Sequence, residues 1–273
     1  MRIHHLNCST FAPRGGRLVS SSGTGLGVVR MVTHCLLVDT GPELILVDTG
    51  LGTDDTAGAR SAVSPLLRAL LRPRLDITET AARQIVELGY RTDDVGHIVL
   101  THLDLDHAGG IRDFPNAYVH VSATELIAAR HPATAIERSR YVRGQFAHDP
   151  LWVAHDLDGG RWFGFDDVHP LHGLPPTILA VPLPGHTRGH CGVAIDTGRR
   201  NAPRWLLHAG DSYFSHTQIS GEQRCPPLLA AFQAIAQTDR KSRLDNLARL
   251  RELAMHPDAE IICSHDPTYL LRR

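Results

Sequence analysis

Two hydrophobic patterns alternate along the chain: short apolar runs, and longer stretches whose apolar residues recur at helical spacing. Residues 33–50 contain two apolar runs around a Gly-Pro turn, which predicts a β-hairpin. Residues 76–94 have helical spacing, with Asp76 or Thr78 suited to cap the start and Gly89 to end the helix.

The alternation continues through the middle of the chain. Residues 95–100 form an apolar run that predicts a buried strand, and residues 117–122 predict another. A helix is expected to begin near Ser122, with Glu125 completing a capping box. Further strands are predicted at 177–196, 204–214 and 259–266, and a long helix at 227–255. This order favours one α/β layered domain over residues 1–273.

Residues 131–180 do not follow either pattern. They mix helical stretches with Pro, Gly and aromatic residues, and we interpret them as an insertion that covers a site. Because ligand pockets are mostly apolar, these aromatics are expected to form the specificity surface. The aromatics are Phe146, Trp152, Trp162, Phe163 and Phe165.

Composition excludes several classes of partner. Lys+Arg 28 against Asp+Glu 29 gives a net charge of -1, so nucleic acid is not a favoured partner. No segment approaches the ~18 uninterrupted apolar residues of a membrane helix. No signal peptide is evident, and a cytoplasmic location is expected. The five cysteines contain no CxxC pair, which argues against a disulfide framework or a cysteine zinc site.

The stretch "THLDLDHAGG" (101–110) concentrates metal-binding side chains at the end of a predicted strand. It contains His102, Asp104, Asp106 and His107 within six residues. Such a cluster is costly unless a metal or water neutralises it. Residues 102 and 104 lie two apart on extended backbone and therefore project to one side. The two glycines that follow, 109 and 110, are expected to permit a tight turn.

Three later residues occupy comparable positions. His186, Asp211 and His265 each stand at a strand-end position beside glycine or a turn. Taken singly, each is more often a structural residue or a cap. Together they stand where loops from successive strands would converge at one sheet edge.

These segments together resemble the metallo-β-lactamase superfamily. Its five motifs are matched in order by "VDTG" (47–50), "THLDLDHAGG" (101–110), "PGHTRGH" (184–190), "GD" (210–211) and "SH" (264–265). The resemblance covers nearly the whole chain. It implies a four-layer αβ/βα sandwich with two divalent metal ions and a bridging hydroxide at one edge of the paired sheets.

The resemblance also implies a role for each position. The first metal would be held by His102, Asp104 and His186, and the second by Asp106, His107 and His265. Asp211 would bridge the two ions and Asp48 would orient the site. Asp106 and Asp211 are therefore candidate catalytic residues. In the lactonases of this superfamily a tyrosine after the bridging Asp assists the reaction, and Tyr213 lies two residues beyond Asp211 at a slightly different offset.

Asp104 departs from the family pattern, which usually has histidine there. Two divalent ions with two carboxylates and a bridging hydroxide retain one positive charge, which Asp104 would cancel. A neutral centre is a weaker Lewis acid and attracts anions less, so uncharged substrates are expected. An oxygen donor also shifts preference toward Mn or Fe relative to Zn.

The layout is most similar to the lactonases of the superfamily, including acyl-homoserine lactonases. The predicted reaction is therefore metal-dependent hydrolysis of a small-molecule lactone or ester. A thioesterase of the glyoxalase II type and a diiron redox or non-hydrolytic protein are the alternatives. A homodimer is compatible with the sequence, which does not determine the oligomeric state.

Overall fold

Two β-sheets pack face to face in the computed structural model, which describes residues 1–21, 23–57, 63, 65–141, 143–221 and 224–271. The first sheet has the strand order β4-β1-β2-β3-β5-β6-β7 and the second β10-β11-β12-β13-β14, while β8 and β9 form a separate hairpin. The strands of the first sheet are β1 (Arg2–Phe11), β2 (Met31–Asp39), β3 (Leu44–Val47), β4 (Pro73–Arg74), β5 (Val95–Val99), β6 (Tyr118–Ser122) and β7 (Leu151–His155). The remaining strands are β8 (Gly159–Trp162), β9 (Phe165–Asp167), β10 (His169–Pro170), β11 (Ile178–Pro182), β12 (Cys191–Asp196), β13 (Trp205–His208) and β14 (Ala259–Ile262).

Several of the described helices pack on the outer faces of the two sheets. In chain order the described helices are α1 (Thr53–Thr56), α2 (Pro65–Leu71), α3 (Ala81–Glu87), α4 (Leu105–Ala108), α5 (Ala123–Arg130), α6 (Ala135–Arg140), α7 (Thr217–Ser220), α8 (Pro227–Ala236), α9 (Arg240–Ala254) and α10 (Thr268–Leu271). No described helix is long and apolar enough to cross a membrane.

Three apolar layers explain this stacking. Alternate residues of β2, such as Leu36, belong to one apolar cluster with Val193 of β12. The intervening residues of the first sheet face outward, where Leu37 belongs to the same cluster as Ile85 of α3. On the second sheet, Leu250 of α9 is in the outer cluster. Because side chains alternate across a strand, each sheet supplies two apolar layers. The predicted four-layer αβ/βα sandwich is confirmed.

The hairpin over residues 33–50 is confirmed, since β2 and β3 pair antiparallel. The helix predicted over 76–94 is shorter. A 3₁₀ turn at Ile77–Glu79 is capped by Asp76, and α3 begins separately after Thr80, whose hydroxyl accepts from the Arg83 amide. Local capping side chains therefore divide a segment whose apolar spacing is continuous.

The long helix predicted over 227–255 is also divided. It consists of α8 and α9, with Asp239 capping α9 by accepting from the amides of Lys241 and Ser242. The amide of Thr238, in the break, donates to the Gly185 carbonyl at 2.8 Å. The break therefore anchors the loop that precedes His186.

The interpretation of 131–180 as an insertion is wrong in extent. Within it, β7 is the edge strand of the first sheet, and β10 and β11 belong to the second. Its aromatics are mostly packing residues: Trp162 lies in a core cluster with Phe165, and its ring meets Trp205 at 5.4 Å between centroids. Within the described part of this segment, α6 reaches the site described below through Arg140.

The capping box expected at α5 is wrong as well. Ser122 is the N-cap residue but makes no side-chain cap hydrogen bond. Glu125 is fully buried and accepts from the Leu103 amide at 3.1 Å and the Gly189 amide at 3.1 Å. Its carboxylate thus ties together two loops from different sheets.

Candidate metal centre

The ends of several strands converge at one edge of the sandwich. His102 follows β5, whose parallel neighbour β3 leads into Asp48. Asp211 follows β13 and His265 follows its parallel neighbour β14. Parallel strands end on the same side, so each pair of side chains is delivered to one edge. The loop after β11 brings His186 to the same edge.

The "THLDLDHAGG" stretch adopts extended backbone and then one helical turn. Asp104 is the N-cap of α4, and Asp106 and His107 lie within that turn. The expected reason for the glycines needs correction, because Gly109 has an ordinary φ of -62°. A Cβ at Gly110 would instead lie 2.9 Å from the Thr49 carbonyl oxygen. Close packing against the loop after β3, not a left-handed turn, requires glycine there.

Seven side chains with metal-binding atoms meet in this region. They form three overlapping groups, and within each group the donor atoms lie within 4.8 Å of one another. The groups are His102, His107 and Asp211; His102, Asp104 and His186; and Asp106, His107 and His265. The last two are the sets that the sequence predicted for the two metals.

Several donor atoms in these groups have no hydrogen-bond partner among the described residues. They are His102 Nε2, His107 Nε2, Asp104 Oδ1 and Asp211 Oδ1, and all are buried. Buried polar atoms are almost always paired, because an unpaired one loses its interactions with water without replacement. Imidazole nitrogens and carboxylate oxygens are also the ligands that Zn, Mn and Fe accept. The donor set therefore fits divalent metal ions.

Buried hydrogen bonds aim two of the histidines. His107 Nδ1 lies 2.9 Å from Asp48 Oδ2, and His265 Nδ1 donates to the Val32 carbonyl at 2.8 Å. Each bond fixes the protonated nitrogen and leaves Nε2 facing the cluster, as at known metal sites. Burial alone would raise the pKa of Asp48, but His107, together with His208 and His102, holds that pKa below its usual value. Asp48 therefore orients a ligand as a carboxylate.

Asp211 lies between the two predicted metal sets. Its Oδ2 is 3.1 Å from His265 Nε2 and 3.5 Å from His186 Nε2, and its Oδ1 is 3.3 Å from His107 Nε2. It is the carboxylate positioned to serve both groups. Its backbone amide donates to His190 Nε2 at 2.9 Å.

His190 was missed as a site residue, although it belongs to the quoted motif "PGHTRGH". Its ring also fixes the residue before Asp211. Gly210 has a φ of 52°, and a Cβ there would lie 2.6 Å from His190 Nε2. Glycine thus lets the backbone at Asp211 approach this buried ring.

A second missed residue is Arg140, at the end of α6. Its Nη1 lies 2.5 Å from Asp104 Oδ2 and 2.8 Å from His186 Nε2. Burial alone would raise the pKa of Asp104, but Arg140 and His102 hold it well below its usual range. The neutral centre expected from Asp104 therefore needs correction, since Arg140 supplies a positive charge beside it. Arg140 belongs to no sequence motif from which its contact with Asp104 could have been predicted.

Tyr213 does not face the cluster. Its side chain is fully buried in the core of the second sheet, and burial together with Cys263 and Tyr269 raises its pKa well above the usual value. The next residue, Phe214, faces the ligands instead. Its ring stacks on His265 with centroids 4.8 Å apart. The placement assigns Tyr213 to packing and does not support its predicted catalytic part.

Comparison with known proteins agrees with this architecture. The family model described as the metallo-beta-lactamase superfamily matches residues 28–265. The chain belongs to the metallo-β-lactamase superfamily. A probable metallo-hydrolase of Mycobacterium tuberculosis is 44% identical over 98% of this chain and 81% of its own length. The chain is accordingly a metallo-hydrolase of this superfamily.

Two solved structures share the superfamily fold at low identity. An N-acyl homoserine lactone hydrolase with N-hexanoyl-L-homoserine bound at its catalytic metal centre has a TM-score of 0.73 and 20% identity, covering 99% of this chain and 95% of that one. A dizinc quorum-quenching lactonase in complex with the same kind of product has a TM-score of 0.64 and 18% identity, covering 97% and 87%. Both confirm the predicted sandwich.

Proposed function

We propose that this metallo-hydrolase opens a small lactone or cleaves a related ester with two divalent metal ions. The observation that carries the proposal is the convergence of seven donor side chains, four of whose buried donor atoms have no hydrogen-bond partner among the described residues. When bound, two such ions polarise a carbonyl group and supply a hydroxide nucleophile at neutral pH.

The side chains divide this task between them. His102, Asp104 and His186 would hold the first ion, and Asp106, His107 and His265 the second, with Asp211 shared. Asp211 is 3% exposed and approaches ligands of both sets, so it would fix the spacing of the ions. Asp48 and the Val32 carbonyl would keep His107 and His265 in the orientation that presents Nε2.

An apolar surface beside the donors supports a small organic ester. Phe214 stacks on His265 and meets Phe232 of α8 edge-on, with centroids 5.9 Å apart. Phe232 is partly exposed and so can extend this surface toward solvent. Apolar walls with a few convergent polar groups are typical of small-molecule sites.

The two solved structures of similar fold also support this reaction. One is a lactone hydrolase with its product at a catalytic metal centre, and the other is a dizinc lactonase. Asp104 adds an oxygen donor, so Mn or Fe is expected to compete with Zn in this chain.

The test is a substrate screen on protein of known metal content. Purified protein is stripped with a chelator, reloaded with Zn, Mn or Fe, and assayed on a lactone, an aryl ester, a thioester and a phosphodiester. We expect lactone and ester turnover that disappears on stripping, returns on reloading, and is abolished in Asp211→Ala. Turnover of thioesters alone would favour the glyoxalase II type, and hydrolysis that survives stripping would refute a metal mechanism.

A further inference from the structure

The guanidinium of Arg140 sits on the ligands of only one predicted metal. Its Nη1 contacts Asp104 and His186, while Nη2 donates to the Ala236 carbonyl at the end of α8. The side chain is 7% exposed. Arg140 is thus held from both sides, by a metal-binding loop and by the break between α8 and α9.

The contact with His186 fixes the state of that ring. Arginine donates hydrogen bonds and never accepts them, so His186 Nε2 must be the acceptor at 2.8 Å. The proton of the neutral ring is then on Nδ1. The 3.1 Å separation between His186 Nε2 and Asp104 Oδ2 is consequently a close approach of two acceptors around one shared cation.

The acceptor nitrogen of His186, Nε2, can bind only one partner at a time. A neutral imidazole nitrogen has a single lone pair, so Nε2 of His186 can bind the guanidinium or a metal ion, but not both. Asp104 does not have to choose between the two cations, because its second oxygen, Oδ1, is buried without a hydrogen-bond partner among the described residues. His186 is therefore where Arg140 and the first metal exclude each other.

The second metal set lacks such a competitor. Within the described part of the chain, no arginine or lysine lies within 4.0 Å of Asp106 or Asp211, whose close cationic partners are histidines. The two halves of the centre therefore differ in charge as well as in ligands.

We propose that Arg140 is an internal competitor of the first metal ion, so that the His102–Asp104–His186 half-site binds its ion more weakly and exchanges it more readily than the other half. Binding there requires the guanidinium to leave His186. The Asp104 carboxylate can bind either cation, the Arg140 guanidinium or the metal ion. A neutral histidine at this position could not pair with the guanidinium in the same way. The inference rests on the metal binding of the proposed function and not on its substrate.

The experiment counts ions without using activity. Metal-free protein is titrated with Zn²⁺ and, separately, with Mn²⁺ by calorimetry, and bound metal is measured by elemental analysis after gel filtration. Wild-type protein should bind two ions in steps whose Kd values differ by at least about tenfold, consistent with a like charge beside one site. Two steps of equal Kd would overturn the inference.

Substitutions at Arg140 test whether this residue causes the difference in Kd between the two steps. Arg140→Met should tighten the weaker step by about tenfold or more and leave the tighter step unchanged. Arg140→Gln, which keeps a hydrogen-bond donor for Asp104, should act in the same direction and serves if the Met variant folds poorly. The matched control is Arg138→Met, which removes an exposed arginine of the same helix and should change neither step.

The outcome is independent of the substrate proposal. If Arg140→Met and Arg140→Gln leave the weaker step unaltered or weaken it, Arg140 is a structural residue and the inference fails. Metal steps that respond as expected, in a protein that hydrolyses no lactone or ester, would refute the proposed substrate and leave the role of Arg140 intact.

Discussion

Oδ2 of Asp48 lies 2.9 Å from Nδ1 of His107, and both side chains are fully buried. The same carboxylate accepts from the Thr101 amide and hydroxyl, each at 2.8 Å. Asp48 itself has a φ of 54°, a conformation that aspartate tolerates better than most residues. The loop after β3 therefore holds an ionised acceptor directly behind a predicted metal ligand.

Replacing Asp48 by Asn should weaken metal binding while leaving the fold in place. The amide is similar in size but is a weaker acceptor for the His107 N–H, so Nε2 becomes a poorer ligand. A loss of about 10–100-fold in metal affinity is expected, the range usual for such supporting residues. Competition with a chromogenic chelator measures it.

The control is Asp39→Asn, which alters a carboxylate that accepts from Tyr90 and the Gly41 amide. Its metal affinity should match that of the wild type. An Asp48→Asn protein with wild-type metal affinity would show that the contact only stabilises the fold.

Tyr213→Phe should change kcat by less than about tenfold, because its hydroxyl lies in the core and not among the metal ligands. Phe214→Leu should raise KM or alter substrate preference, since its ring covers His265. Steady-state kinetics on the best substrate of the screen distinguish the two. A loss of about 10²-fold or more in Tyr213→Phe would restore the predicted assisting role.

Asp104→His should destabilise the metal-free protein, because it leaves the buried guanidinium of Arg140 without its carboxylate. Breaking a buried ion pair by removing one partner typically costs about 3–5 kcal/mol, and the partial exposure of Asp104 places this case near the lower end. Urea unfolding of the metal-free protein gives the free energy of unfolding.

Adding Arg140→Met to Asp104→His should recover much of that loss, and the metal-loaded double variant should prefer Zn over Mn more strongly than the wild type. Additive effects of the two substitutions in a double-mutant cycle would show that the residues are not energetically coupled. Unaltered metal preference would show that Asp104 does not ligate.

Acid should destabilise the protein through a row of histidines away from the metal centre. His120 Nε2 lies 2.9 Å from His97 Nδ1, and His120 Nδ1 lies 2.9 Å from His155 Nε2. A neutral middle ring makes both contacts by donating from one nitrogen and accepting at the other. Burial, with the two neighbouring histidines, lowers the pKa of His120 to about 3.

The unfolded chain takes up a proton at this residue near pH 6.5, whereas the folded protein does so only near the lowered pKa. The contribution of His120 to the free energy of unfolding is therefore complete above pH 6.5 and is lost as the pH falls toward 3. Replacing His120 by Leu should make the slope shallower by up to about 1.4 kcal/mol per pH unit. Urea unfolding between pH 7 and 5 at saturating metal measures it, and identical slopes would contradict the expectation.

The cluster of candidate metal ligands was largely predictable because its side chains follow strands and stand beside glycines within short motifs. His102, His107 and Asp106 are close in sequence, and resemblance supplied the distant His186, Asp211 and His265. The alternation of patterns likewise predicted the hairpin and the layered α/β class. These features depend on local sequence, which a single chain displays directly.

The predictions that failed depend on tertiary contacts between segments distant in sequence. Arg140 reaches Asp104 only because α6 folds back over the sheet edge, and nothing near residue 140 encodes that approach. Glu125 has the spacing of a capping residue, yet its carboxylate is buried and accepts hydrogen bonds from two amides of other loops. Tyr213 and Phe214 are adjacent, and only the packed strand end decides which one faces the ligands.

The convergence of ligands from both sheets has a consequence for how the protein acquires its metal. Residues 102 to 107 are local, but His186 and His265 reach them only after loops of about 80 and 160 residues have closed, a slow and entropically costly step. An unfolded or half-synthesised chain cannot present the complete set. The complete site therefore exists only in the folded protein, so any ion that binds it also stabilises the folded state against unfolding.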